Sequence, residues 1–292
     1  MATGGLQYYL ARLSIAEKLI VINLAVFILS GLISALFGFS TNTLLYWFEL
    51  PKDFFAFLSK PWTLVTYGFF HSGFGHIFWN MIMLYFTGRI FLNLFDSKKF
   101  INVYFLGIII GGLIFLVSYN VFPTLLNKNT ALIGASAGVT AVLIFICTYI
   151  PNQEVRLFGV LNLKLWYIGA FFVLADLIMI PSGGNIGGRL AHLGGAFLGY
   201  FYARQLTKGN DIGAGFENFL TILGNLFKPG KKSPLKTVHR KKKASGAKGS
   251  VDYDKATRQK KIDAILDKIS KSGYESLSKA EKDFLFKAGK ED

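Results

Sequence analysis

The chain has 292 residues, of which 52% are hydrophobic, and its formal net charge is +15. The apolar residues occur in long blocks, which argues against an ordinary soluble domain and favours a membrane protein. The charge is uneven, because the part from Arg204 onward carries 21 Lys and Arg against 11 Asp and Glu. A basic tail beside a membrane predicts attraction to anionic lipid headgroups, and no motif accompanies it that would favour nucleic-acid binding.

Six apolar segments, each near the length needed to cross a bilayer, follow one another before the basic tail. No convincing cleavage site precedes the first segment, so a cleavable signal peptide is not expected. Six spans place both termini on one side, and the flanking Lys and Arg predict that this side is cytoplasmic. The predicted spans are 19–37, 76–95, 100–122, 133–150, 165–180 and 188–202.

The connection 38–75 is rich in aromatic residues and contains two prolines, which predicts a segment lying in the membrane interface. Beyond the spans, residues 216–227 show a short amphipathic pattern that predicts a helix on the membrane surface. Residues 229–250 predict a disordered basic linker, and two short helices should follow it, the second opened by a capping box at Ser278 and Glu281. The predicted division is an N-terminal cytoplasmic segment (1–14), a membrane domain (15–205), an amphipathic stretch with a basic linker (206–250) and a small helical C-terminal module (251–292). Because the core of this module is small, it is expected to need a partner.

Polar residues near the same ends of three spans predict a reactive site inside the membrane. His76 and Asn80 open the second span, Ser136 opens the fourth, and His192 lies near the start of the sixth. The stretch from Ser136 to Ile150 gives about 22 Å of helix, against a hydrocarbon core of about 30 Å. Ser136 should therefore start a helix roughly 8 Å below the outer membrane boundary.

These residue types are suited to nucleophilic catalysis. Ser136 would be the nucleophile and His192 the general base. The free N–H groups of a helix start favour a developing oxyanion, and His76 and Asn80, four residues apart on one helix face, can donate to it as well. Small residues that let the helices approach closely support this arrangement, namely Gly134, Gly195 and Gly199.

At these motifs the chain resembles the rhomboid family of intramembrane serine proteases, in particular bacterial members with a small basic cytoplasmic extension. The resemblance covers about residues 14–205 and implies an all-α polytopic membrane protein, a six-helix bundle with an interfacial loop between the first two spans and a short helical tail. It implies a Ser136–His192 dyad with His76 and Asn80 as oxyanion donors. The motifs that carry it are Pro61–Tyr67 leading to His71, His76-x3-Asn80, Gly134-Ala135-Ser136 and Ala191-His192-x2-Gly195-x3-Gly199.

Several residues leave alternatives open. Many bacterial members carry an aromatic ring one turn after the serine, where this chain has Thr140, so His192 must be oriented differently. Asp176 shares the predicted depth of the site, which permits a Ser-His-Asp triad, although a structural hydrogen bond or a water contact is favoured. His71 is expected to hydrogen-bond the loop, with direct involvement left open. His71 and His76 lack a third ligand, so no metal and no cofactor is expected.

The sequence thus predicts a serine endopeptidase that cleaves in or near transmembrane segments of client membrane proteins. It is expected in a bacterial inner membrane with both termini in the cytoplasm. The alternative is a non-catalytic rhomboid-like scaffold or quality-control protein, which would need neither Ser136 nor His192. A transporter is a poorer hypothesis, since neither internal repeats nor charges across the membrane midplane are evident.

Overall fold

A computed structural model describes residues 5–38, 40–126, 130–157, 160–226 and 251–288. The chain divides into two compact units, Met1–Pro229 and Gly230–Asp292. The described residues are mainly helical. The helices of the first unit are α1 (Leu6–Arg12), α2 (Ile15–Phe37), α3 (Thr41–Leu45), α4 (Phe54–Ser59), α5 (Thr63–Thr66), α6 (Phe74–Leu92), α7 (Ser97–Val121), α8 (Pro123–Leu126), α9 (Ser136–Tyr149), α10 (Leu165–Met179), α11 (Ile186–Thr207) and α12 (Ala214–Leu226).

Helices occur at all six places where the sequence predicts spans, as α2, α6, α7, α9, α10 and α11. By length and composition, α2 and α7 are apolar enough to cross a membrane, whereas α9 and α10 are apolar but shorter. Six crossings therefore remain a prediction.

Two short antiparallel strand pairs lie in the connections between helices. Strand β1 (Leu50–Pro51) pairs with β2 (Ala131–Leu132), and β3 (Glu154–Leu157) pairs with β4 (Leu161–Lys164). The sequence-based prediction contained no strands, because ladders this short leave no alternating pattern to detect. The pairing of β1 with β2 brings the connection 38–75 next to the segment that precedes Ser136.

Helices α7, α9 and α11 form the centre of the first unit and approach each other through small residues. A Cβ atom added at Gly195 would overlap the carbonyl oxygen of Ala137, and one added at Gly199 would overlap that of Ala141. On α7, a Cβ at Gly111 would lie 2.6 Å from the Cβ of Ala137. Close backbone approach of this kind is how helices pack where lipid removes the hydrophobic driving force.

The connection between α2 and α6 folds as several short helices that are held by side chains. The Lys60 ammonium donates to the Tyr46 carbonyl at 2.6 Å, and the Trp62 indole donates to the Trp47 carbonyl at 2.8 Å. The hydroxyl of Tyr67, which is fully buried, donates to the Ile108 carbonyl on α7 at 2.7 Å. This last bond ties the end of the connection to the helical centre, next to the predicted site.

After α11 the chain turns sharply and continues into α12. Asp211 accepts hydrogen bonds from the Tyr202 hydroxyl and the Lys99 ammonium, each at 2.5 Å. Helix α12 lies where the sequence predicts an amphipathic helix, and its large apolar side chains Phe219 and Ile222 are exposed.

The second unit contains α13 (Val251–Ser272) and α14 (Lys279–Ala288), so the two helices predicted there are confirmed. The predicted capping box is also present, since the Ser278 N–H donates to the Glu281 carboxylate at 2.7 Å and the Glu281 N–H donates to the Ser278 hydroxyl at 3.3 Å. The Ser278 N–H, the Lys268 ammonium and the Ser278 hydroxyl all donate to the Glu281 carboxylate and lower its pKa to about 2. The predicted linker 229–250 lies outside the described residues.

Candidate active site

Ser136 is the first residue of α9, and the backbone before it is held in place by the end of the connection 38–75. Gly134 has a φ of +121°, a conformation that favours glycine, and its N–H donates to the Tyr67 carbonyl at 2.9 Å. The Ala135 N–H points to Nε2 of His71 at 3.4 Å, and His71 is buried. His71 therefore contacts the turn that precedes Ser136, and its role in supporting the loop stays a prediction.

The start of α9 leaves backbone N–H groups available beside Ser136. Its N-cap residue, Ala135, supplies no side-chain cap, and the first bonded N–H of the helix is that of Val139, which donates to the Ala135 carbonyl at 3.0 Å. The N–H groups of Ser136, Ala137 and Gly138 therefore have no acceptor within the helix. With the positive end of the helix dipole, these groups can stabilise an anion next to the serine hydroxyl.

His76 faces the same turn from α6. Its Nε2 lies 2.5 Å from the position that a Cβ at Gly134 would occupy, and the Ser136 hydroxyl lies 3.7 Å from that position. The other ring nitrogen, Nδ1, is 3.1 Å from the Ser72 hydroxyl and 3.5 Å from the Ser72 N–H. An Nδ1 that accepts from Ser72 leaves the proton of a neutral ring on Nε2, which is the atom directed at the site. Ser72 was not singled out from the sequence, because a serine in a loop carries no signal of its own.

Asn80 lies one turn further along α6 and is 7% exposed. Its amide nitrogen donates to the His76 carbonyl at 2.9 Å. This bond uses one of the two amide N–H groups, so the second can donate to another acceptor.

His192 lies in the second turn of α11, and its Nδ1 is 3.0 Å from Oδ2 of Asp176 on α10. The second carboxylate oxygen of Asp176 is 3.8 Å from the guanidinium of Arg189. From the sequence a triad with Asp176 is open, but the dyad implied by the family resemblance favours a structural hydrogen bond or a water contact. Thr140, whose side chain cannot stack on the imidazole as an aromatic ring would, is half-buried on α9.

Ser136 and His192 are placed by helices that touch, although the two side chains are not bonded to each other. A Cβ at Gly111 would lie 2.6 Å from the Ala137 Cβ and 2.7 Å from the Ala191 carbonyl, so the neighbours of both residues meet at one point of α7. No hydrogen bond between described residues joins the Ser136 hydroxyl to the His192 ring. Such bonds are often long in unliganded sites and shorten when substrate binds.

The described residues contain no group of three or more His, Cys, Asp or Glu side chains that could hold a metal ion. Gly195 and Gly199 lie in the contact between α9 and α11, and Gly134 leaves room for His76. Among the described side chains, His71 and His76 contact the turn that precedes Ser136, and the Asp176 carboxylate is in hydrogen-bond contact with His192.

A family model described as the rhomboid domain matches residues 58–209, which is just over half of the chain. The chain belongs to the rhomboid family. Members of this family are integral membrane proteins, and the matched stretch contains α6, α7, α9, α10 and α11 together with the geometry around Ser136. A second model, of a family of unknown function, matches residues 250–288 in the second unit.

Two curated relatives are similar to about half of this rhomboid chain. RHOMBOID-like protein 12, mitochondrial, of Arabidopsis thaliana is 28% identical over 158 residues, which is 50% of this chain and 47% of the relative. Presenilin-associated rhomboid-like protein A, mitochondrial, of Danio rerio is 29% identical over 144 residues, covering 48% of this chain and 36% of the relative. The chain thus spans less than half the length of these relatives. Both are named as mitochondrial, so they give no support to the predicted bacterial membrane.

Proposed function

We propose that this rhomboid protein is an intramembrane serine endopeptidase in which Ser136 is the nucleophile and His192 the general base. The observation that carries the proposal is the position of Ser136 at the uncapped start of α9, with Nε2 of His76 directed at the same turn. A serine kept only for helix packing would need neither free N–H groups nor a ring nitrogen beside it.

The proposed reaction is transfer of the client's acyl group to Ser136, followed by hydrolysis of the acyl-serine ester. Nε2 of His192 takes the hydroxyl proton of Ser136 while the oxygen attacks the carbonyl carbon of a client peptide bond. The carbon–nitrogen bond then breaks, and the leaving nitrogen receives that proton from His192. A water molecule, deprotonated by His192, attacks the acyl-serine ester, and the serine oxygen leaves with the proton. Water is therefore consumed and the enzyme is regenerated.

The oxyanion that forms during each attack needs donors fixed before the reaction begins. The N–H groups at the start of α9 supply the helix contribution. Nε2–H of His76 and the second amide N–H of Asn80 supply the side-chain contribution, and Ser72 fixes the tautomer of His76 that can donate.

The placement in the membrane belongs to the same proposal. The chain would cross the bilayer six times with both termini in the cytoplasm, and water would reach Ser136 from the outer side. The client segment would enter beside α10, whose outer surface is apolar and exposed. Together with this membrane placement we propose the domain boundaries 15–205, 206–250 and 251–292. We also propose that the basic tail contacts anionic lipid. The bacterial inner membrane remains a prediction.

The test is activity-based labelling together with cleavage of a model transmembrane substrate in liposomes. A fluorophosphonate probe should label the wild-type protein at Ser136, and Ser136→Ala and His192→Ala should each abolish cleavage while the thermal unfolding temperature stays within a few degrees. The loss should be about 10⁴-fold or more, since removing a catalytic nucleophile or base leaves little of the chemistry. Full activity of Ser136→Ala would reject the proposal.

A second candidate function is a non-catalytic scaffold on the same fold. It is favoured by one observation, namely that no hydrogen bond between described residues joins Ser136 to His192. A scaffold would bind a client segment equally well with serine or alanine at position 136 and would not react with the probe, so the labelling experiment separates the two functions.

A further inference from the structure

We propose that Asp176 is the positioning residue of His192: its carboxylate accepts the Nδ1 proton of the imidazole and thereby leaves the lone pair of Nε2 for the Ser136 hydroxyl. This inference rests on the proposed function and extends it from two catalytic side chains to a third residue on a different helix. Its basis is the contact of 3.0 Å between His192 Nδ1 and Asp176 Oδ2.

The location of Asp176 is unfavourable unless the carboxylate has partners. It lies in the last turn of α10, where the negative end of the helix dipole disfavours a further negative charge. Its neighbours Leu177 and Ile178 are exposed apolar side chains of a helix in a membrane protein, an environment in which ionised groups are costly. Its side chain is only 15% exposed. A carboxylate at such a position is expected to have a specific partner, and His192 is the group in hydrogen-bond contact with it.

Arg189 completes the arrangement from one turn before His192 on the same helix. One guanidinium nitrogen lies 3.8 Å from Asp176 Oδ1, while Nε of Arg189 donates to the Gly184 carbonyl at 3.0 Å. The arginine thus balances the charge of the carboxylate and leaves Oδ2 directed at the imidazole. Because Arg189 contacts both the Gly184 carbonyl and the Asp176 carboxylate, it holds the Asp176 side chain in one orientation relative to α11.

The tautomer follows from hydrogen-bond chemistry. An ionised carboxylate can only accept, so the bond to His192 requires the proton on Nδ1. In the neutral ring Nε2 is then an acceptor, which is the state that a general base needs. Without the carboxylate, the ring can carry its proton on Nε2 and turn away from Ser136, and both changes prevent proton transfer.

The variants Asp176→Asn and Asp176→Ala test the assignment by comparing kcat and KM for cleavage of the model substrate in liposomes. Both should lower kcat by about 100-fold, the cost of a misplaced catalytic group, and leave KM within about threefold, since Asp176 does not bind substrate. Asp176→Glu, which keeps the carboxylate, should recover part of the rate. Arg189→Gln should lower kcat less than Asp176→Asn does, because the contact between carboxylate and imidazole remains.

Asp211→Asn is the matched control, since it removes a partly buried carboxylate that accepts from Tyr202 and Lys99 at the other end of α11. It should lower the unfolding temperature and leave kcat unchanged. If Asp176→Asn leaves kcat within threefold of the wild type, or lowers it no more than Asp211→Asn does, the assignment of Asp176 is overturned.

A spectroscopic measurement on the full-length wild-type protein keeps the test independent of turnover and of variant folding. With ¹⁵N-labelled histidine, the His192 signal should show a proton on Nδ1 and an unprotonated Nε2 at a pH where the ring is neutral. A proton on Nε2 instead would overturn the proposal. This result is separable from failure of the proposed function, which would show as a wild-type protein that the fluorophosphonate probe does not label.

Discussion

Among the neighbours of helix α11, the helices α9 and α10 hold it in different ways. Against α9 the contact is between backbones, because Gly195 lies on the Ala137 carbonyl and Gly199 on the Ala141 carbonyl. The residues of α9 from Ala141 to Cys147 are all buried. A contact without intervening side chains has no rotamers to adjust, so it fixes the distance between the first turn of α9 and the histidine turn of α11.

Helix α10 contacts the other side of α11 through few residues. Only Leu165 and Gly169 of this helix are buried, while Phe171 and Ile178 are 67% and 74% exposed. Its inner contacts include Gly169 against Cys147 and the polar contacts of Asp176 with α11. Ser136 is therefore placed by rigid packing, whereas the orientation of His192 depends on a loosely packed helix. Substitutions at the contact of α11 with α9 and at its contact with α10 should therefore differ in their effects on stability and on activity.

The largest effect is expected at the contact between α9 and α11. Gly195→Ala adds a Cβ that overlaps the Ala137 carbonyl, and the helices must separate to accommodate it. We expect a loss of about 3 kcal/mol in the free energy of unfolding and a fall in cleavage of more than about 100-fold, because Ser136 adjoins Ala137. Denaturant titration in detergent and the liposome assay measure the two losses.

Gly31→Ala on α2 is the matched control, since nothing lies within 4 Å of a Cβ at Gly31. It should be neutral or slightly stabilising, because alanine favours helix over glycine. Equal unfolding of the two variants would mean that the contact between α9 and α11 is not as tight as described.

A smaller effect is expected where α10 meets α9. A Cβ at Gly169 would lie 2.9 Å from the Cβ of Cys147, so Gly169→Ala should displace α10 outward. Because α10 is loosely packed, we expect a loss of only about 1 kcal/mol in the free energy of unfolding. The kcat should nevertheless fall by about 10-fold, since Asp176 moves with the helix. Phe171→Ala, on the exposed face of α10, should change neither quantity, and a similar kcat for the two variants would contradict the described difference.

The contact between α9 and α11 could largely be predicted from the sequence, whereas the contact of α10 with α11 could not. Long apolar blocks gave the helix positions, and Gly195 and Gly199 at a spacing of four residues indicated a close helix contact. Ser136, His76 and Asn80 could be singled out because polar residues in segments predicted to span a membrane are costly enough to stand out.

The contacts that orient the site are between residues distant in sequence. Asp176 is recognisable as an intramembrane acid, but its partner depends on how α10 is rotated against α11. Ser72 beside His76, and the pairing of β1 with β2, likewise result from the folded path of the connection 38–75. Such contacts leave no periodic pattern in the local sequence, so they become visible only in the three-dimensional structure.

The smallest effect is expected at the far end of α11, where Asp211 links Tyr202 of α11 to Lys99 of α7. Burial raises the pKa of Asp211, but the bonds from Lys99, Tyr202 and the Gly213 N–H outweigh it and hold the pKa below its usual value of 3.8. A carboxyl whose pKa is depressed in the folded state stabilises the protein above its unfolded pKa, and this contribution is lost as the pH falls through the folded pKa.

The wild type should therefore unfold a few degrees above Asp211→Asn at pH 6, and the difference should shrink as the pH drops below about 4. Thermal unfolding of both proteins across this range provides the measurement. Glu217→Gln removes the partner of Lys98, whose side chain is 71% exposed, and should shift the unfolding temperature less, because exposed ion pairs contribute little. A difference between wild type and Asp211→Asn that stays constant down to pH 3 would mean that the Asp211 charge does not hold the end of α11 to α7.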